Sequence, residues 1–141
     1  MKNIGEEIES NTEGAALGLV FGRELGINIE PKYKNHVVID SQSAKHHIER
    51  TNEYHPELAK YLRIVFDLPA PSKGGIPKEL TPEYIERKGS GFQICAGFLN
   101  LLLKLKDAKV PVVLRHPESC LHPSNQARLG EVLARITGAQ K

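Results

Sequence analysis

Five residues, Val110-Pro-Val-Val-Leu114, restrict the fold more than any other stretch of this chain. The run is apolar and β-branched, shows no alternation, follows a helical pattern and precedes a turn. That is the pattern of a short strand buried on both faces, as in a parallel sheet. Pro111 has no N–H to give a ladder, so it belongs near the start of the strand. Upstream, Phe92 to Lys106 reads as one helix with Ile94, Phe98, Leu101, Leu102 and Leu105 on its buried side. Downstream, Pro123 to Ile136 carries Leu129, Val132, Leu133 and Ile136 on one face and is ended by Gly138. Helix, strand and helix in this order predict an α/β layer with a right-handed connection.

The first half repeats the theme less clearly. His36-Val-Val-Ile39 reads as a second buried strand, closed by the helix-capping pair Asp40-Ser41. Residues 43 to 66 read as helix, with Pro56 either kinking it or opening a second helix behind the Asn52 to His55 stretch. Leu58, Tyr61, Leu62, Val65 and Phe66 supply the apolar face. The proline- and glycine-rich stretch from Leu68 to Pro82 sustains neither period and reads as a connecting loop. Thr81-Pro82-Glu83 then restarts a helix, which stops at Gly89-Ser90-Gly91.

Nearer the N-terminus, glycines at 14, 18, 22 and 26 would share one face of a helix that forms only by packing closely on something else. The whole is expected to be one domain in three parts: 1–40 with the glycine-spaced helix and a short strand, 41–86 helical and loop, and 87–141 with two helices around the second strand.

Composition narrows the classes. With 141 residues, 40% hydrophobic and 26% charged, the chain has the make-up of one soluble domain. A formal charge of +2 without long basic runs leaves nucleic-acid binding possible through a complex but unsupported. Cys95 and Cys120 have no CxxC spacing. Acids stand where a secretory signal has its apolar core, and no stretch approaches the ~18 apolar residues of a membrane span, so a cytoplasmic protein without membrane contact is expected.

Two segments carry chemistry when taken together: Arg87-Lys-Gly-Ser-Gly-Phe-Gln93 and, one helix later, Val112-Val-Leu-Arg-His-Pro-Glu-Ser-Cys-Leu-His-Pro-Ser-Asn-Gln-Ala-Arg-Leu129. The first resembles the signature loop of ABC-type P-loop ATPases. The second resembles the Walker B strand and its continuation in the OLD-related, AAA-type subgroup, with Pro117-Glu118, Leu121-His122-Pro123, Gln126 and Leu129 at matching places. The resemblance covers residues 87 to 137. It implies part of a three-layer P-loop NTPase-like fold, a short parallel sheet flanked by helices.

The resemblance further implies that Ser90, Gly91 and Gln93 meet the nucleotide of another subunit, and that His116 and Glu118 occupy the catalytic strand end. The family pattern departs there: Arg115 stands where an Asp holds Mg²⁺, and His116 where a Glu orients the attacking water. No G-x-x-x-x-G-K-[ST] occurs, and Ser72-Lys-Gly-Gly75 does not supply one. The expectation is a truncated or degenerate ATPase module, inactive alone, which meets ATP and Mg²⁺ only with a partner. That partner is a full-length ATPase or a second copy, and any hydrolysis belongs to the larger assembly.

Two other classes are open. One is a nucleotide-independent interaction protein that keeps part of the fold; the other is a small enzyme using His116, Glu118 and Cys120. His46, His47 and His55 invite a metal reading, but adjacent histidines on a helix point to different faces and no further donor completes a ligand spacing, so no metal is expected.

Overall fold

The structure, a computed structural model, describes residues 8–10, 36–69, 73–77, 79–119 and 121–138. In chain order its elements are β1 (Ile8–Ser10), β2 (Val37–Ile39), α1 (Ser41–Arg50), α2 (Leu58–Val65), α3 (Pro82–Glu86), α4 (Ser90–Asp107), β3 (Val112–Leu114) and α5 (Pro123–Thr137). The result is a mixed α/β fold, mostly helical. The glycine series from Gly14 to Gly26 lies outside the described residues.

β3 is the middle strand of the order β1-β3-β2. It runs parallel to β2, pairing Val37, Val38 and Ile39 with Val112, Val113 and Leu114, and all six side chains are buried. Pro111 lies just before β3, where its carbonyl accepts the Val37 N–H at 2.9 Å and its missing donor breaks no strand pairing. The other neighbour corrects the expectation of a parallel sheet. β1 pairs antiparallel, with Ile8, Glu9 and Ser10 opposite Leu114, Val113 and Val112. Ile-Glu-Ser is too short and too polar to announce itself as a strand; long-range pairing makes it one.

Local chemistry sets most helix ends. Asp40 caps α1, its carboxylate accepting the Ser43 N–H at 2.8 Å. Of the two alternatives at Pro56 the structure has the second helix: the first stops at Arg50 and another begins at Leu58. Pro56 accounts for the break, because it lacks an N–H and biases His55 toward extended backbone. Thr81 caps α3 and Pro82 occupies its first turn.

α4 departs from the single buried face expected of it. Every residue from Cys95 to Leu103 is buried, while Ile94 is only half-buried. The cause is encirclement: α1, α2, α3 and β3 all pack against α4. The α1 contact is close enough that a Cβ on Gly97 would lie 2.1 Å from the Ala44 carbonyl oxygen, so only glycine fits. The loop before α3 joins the same core through Ile76, which is 0% exposed.

These contacts fix polarity. Ala44 meets Gly97 and His47 meets Asn100, so α1 and α4 run parallel. The end of α2 lies beside the first turns of α5, where Arg128 Nε donates to the Val65 carbonyl at 3.0 Å. The N-termini of α1, α4 and α5 therefore gather at the end of the molecule where β2 and β3 finish. Open α/β sheets hold their ligands outside that carboxyl edge. None of the described helices is long and apolar enough to cross a membrane.

Candidate functional site

The loop into α4 begins where α3 ends. Gly89 is the N-cap, with extended ψ, and as a glycine it has no side chain to cap this helix end. Helix starts at Ser90, two residues before the sequence suggests, and Ser90 is exposed with Gly91 half-buried beside it. The Lys88 ammonium lies 4.8 Å from the centre of the Tyr84 ring and 5.7 Å from that of Phe92, so it packs on aromatic faces rather than ranging freely. Gln93 points back into the loop. Its Nε2 lies 3.2 Å from the Ile85 carbonyl oxygen, 3.4 Å from that of Glu86 and 3.0 Å from that of Lys88. Its Oε1 accepts the Lys45 ammonium at 3.4 Å.

The loop into α5 begins at the end of β3. Arg115 N–H donates to the Ile39 carbonyl at 2.9 Å, extending the parallel pairing by one bond. His116 then turns the chain in the left-handed region, φ +46°, a conformation that costs a residue with a Cβ about 1–3 kcal/mol. Tight turns follow, with Ser119 N–H donating to the His116 carbonyl and Leu121 N–H to that of Glu118.

The two expected catalytic side chains are brought near each other. His116 Nδ1 lies 3.6 Å from Glu118 Oε2, an ion pair only when the ring is protonated and too long for a firm hydrogen bond. His116 is largely exposed and Glu118 mostly buried, with its Oε1 enclosed and lacking a hydrogen-bond partner among the described residues. Cys120 lies outside the described residues. His122 has a structural role as the N-cap of α5, its Nδ1 accepting from the Ser124 backbone N–H at 3.4 Å and lying 3.1 Å from the Ser124 hydroxyl.

This arrangement leaves a strand end with one arginine, one exposed imidazole and one enclosed carboxylate. Among the described residues no group of three His, Cys, Asp or Glu is placed to hold a metal ion. His116 can accept a proton, and Glu118 is the group that the described residues bring to its ring.

A polar cluster that sequence reasoning did not assemble lies between α1 and α4. Asn100, 0% exposed, sits 2.9 Å through Nδ2 from His47 Nε2, donates to the Glu53 carbonyl at 3.2 Å, and accepts the His55 backbone N–H at 2.8 Å. His55 Nε2 in turn lies 2.7 Å from Asp107 Oδ2, while its Nδ1 accepts from the Glu57 N–H. Because an amide nitrogen can only donate, His47 must accept and be neutral. Burial, and secondarily the Lys104 charge, push its pKa down to about 4. The one sequence signal was Asn100 itself, a lone amide within an apolar helical run. His47 and His55, two of the three histidines considered as metal donors, thus serve as links between α1, the following loop and α4. That loop, Tyr54 included, also walls a cavity of about 410 Å³ with Glu79 and Leu80, at the end of α1 opposite Ser41.

Comparison of the chain with protein-family models, curated proteins and solved structures found no match.

Proposed function

We propose that this chain is a degenerate or partial ABC-type ATPase module that does not hydrolyse ATP alone and acts by associating with an ATPase partner, full-length or a second copy. On this reading the fold is part of a three-layer P-loop NTPase-like architecture, with α4 as signature helix and β3 as the Walker-B-like strand. The observation that carries it is the start of α4: exposed Ser90 on an 18-residue helix whose cap residue is a glycine. Such an end holds roughly half a positive charge, which suits a phosphate presented by another subunit. The parallel β2–β3 pair and the three helix N-termini at its carboxyl edge support the same reading.

The chemistry of phosphoryl transfer needs a held metal and a positioned water. Arg115 and His116 supply neither, so ATP and Mg²⁺ enter only with the partner, in a cytoplasmic setting. The same two residues favour the second reading, an interaction protein indifferent to nucleotide.

One experiment separates the two: binding to a full-length ATPase of the same genome, with and without Mg²⁺-ATP, for wild type and Ser90→Arg. The ATPase-module reading expects ATP to strengthen binding by wild type and the variant to lose that gain while staying folded. Equal binding in all four conditions leaves Ser90 as no more than the first residue of a helix, and the nucleotide-independent reading stands. Micromolar ATP affinity in the isolated chain would overturn the claim that the nucleotide comes from the partner.

A further inference from the structure

We infer that Gln93 and Gln126 are a matched pair of positioning residues, each holding the loop before its helix in one arrangement at the carboxyl edge of the parallel strands. Both are the fourth residue of their helix, α4 starting at Ser90 and α5 at Pro123. Both turn the side-chain amide back on the loop with the same offsets. Gln93 Nε2 reaches the carbonyls eight and five residues earlier, Ile85 and Lys88, at 3.2 and 3.0 Å. Gln126 Nε2 reaches those of Glu118 and Leu121, again eight and five residues earlier, both at 3.2 Å. Gln93 adds the Glu86 carbonyl at 3.4 Å.

Carbonyl oxygens only accept, so the group they surround must be the NH₂ of the amide. In the first loop these carbonyls lie at and just past the end of α3, where that of Ile85 also accepts the Lys88 N–H at 3.0 Å. In the second they belong to the turns that carry the chain from β3 to α5. Each glutamine therefore closes a ring of about nine residues. Gln93 also ties its loop to α1 through Lys45. Its donors are spent on protein, so Gln93 acts on a nucleotide only by placing Ser90, not by touching it. That last point rests on the ATPase-module reading; the paired staples do not.

Each loop contains one arginine, Arg87 in the first and Arg115 at the head of the second, so an arginine-specific protease reports on them separately. The test follows cleavage of the folded chain, by mass, in wild type and in Gln93→Glu, Gln93→Lys, Gln126→Glu and Gln126→Lys. A carboxylate has no proton to give these carbonyls, whereas an ammonium does. Gln93→Glu is expected to speed cleavage after Arg87 roughly tenfold and leave Arg115 unchanged, and Gln126→Glu to do the reverse. The lysine variants should stay near wild type. The inference is overturned if cleavage is unchanged, if both loops and the helical Arg63 and Arg128 sites accelerate together, or if lysine behaves as glutamate does. No nucleotide or partner enters this test. Loop-specific protection combined with ATP-independent partner binding would keep the staples and sink the ATPase-module reading.

Discussion

The loops leading into α4 and α5 are built alike and finished differently. Both follow a turn, both are stapled by a glutamine at the fourth helical position, and both face the carboxyl edge of the β2–β3 pair. At α5 the chain completes its own helix end: His122 accepts from the Ser124 N–H and Pro123 removes a donor from the first turn. At α4 a glycine stands in the cap position and has no side chain with which to accept from the first turn. The lesson is electrostatic. Two helix dipoles of similar size meet the same edge; the α5 end is closed by its own cap residue, whereas the cap residue of α4 is a glycine with no side chain to do the same.

The hardest blow to this comparison removes the frame that the two loops share. Val113 is 0% exposed in the central strand, between Glu9 and Val38. Val113→Asp should unfold the domain, since an unpaired buried charge costs several kcal/mol against a total of ~5–15. Loss of the cooperative thermal transition is the expected result, and a folded variant would mean that β3 does not carry the two loops.

Acid should act next, and on the α4 side first. His47 titrates near 4 in the fold against an ordinary 6.5, so between those values the unfolded chain binds more protons. Its contribution is complete above about pH 6.5 and is lost as pH falls toward 4, in all by roughly 3 kcal/mol. Denaturant midpoints at pH 7 and pH 5 measure this. His47→Gln should flatten the dependence, and an unchanged slope would place the acid sensitivity elsewhere.

Gly97→Ala tests the same interface by size alone. A methyl forced against the Ala44 carbonyl must separate α1 from α4, at about 1–3 kcal/mol for overpacking. Thermal melting should show the loss, and an unchanged midpoint would mean that the two helices separate freely.

The smallest changes bear on the contrast itself. His122→Ala should cost about 1 kcal/mol by opening the α5 cap, whereas Gly89→Asp should stabilise by a few tenths, there being open space around a Cβ at Gly89. If both substitutions destabilise equally, the ends of α4 and α5 do not differ as described.

Much of this frame was legible in the sequence. The run 110–114, the run 36–39 and the helices after each could be read because their signals are local: β-branched residues, caps, Pro and Gly. Glu118 and His116 stand out through a motif, and the structure places them 3.6 Å apart. The break at residues 51–57 was legible only as two alternatives at Pro56, since a proline permits either a kink or a new helix. Gln93 belongs to the loop that its motif suggests, but its direction was not legible, because a glutamine at a helix start can face solvent, a ligand or the turn behind it.

Local chemistry, then, settles where the chain is extended, where it is helical and which ends are capped, since those depend on neighbours a few residues away. Only packing across the fold makes Ile8–Ser10 a strand, buries α4 all round, and gathers His47, Glu53 and His55 about Asn100. Each of these depends on groups dozens of residues apart. A three-residue strand needs a partner, and an amide at 0% exposure is tolerable only once folding brings it donors and acceptors to replace water.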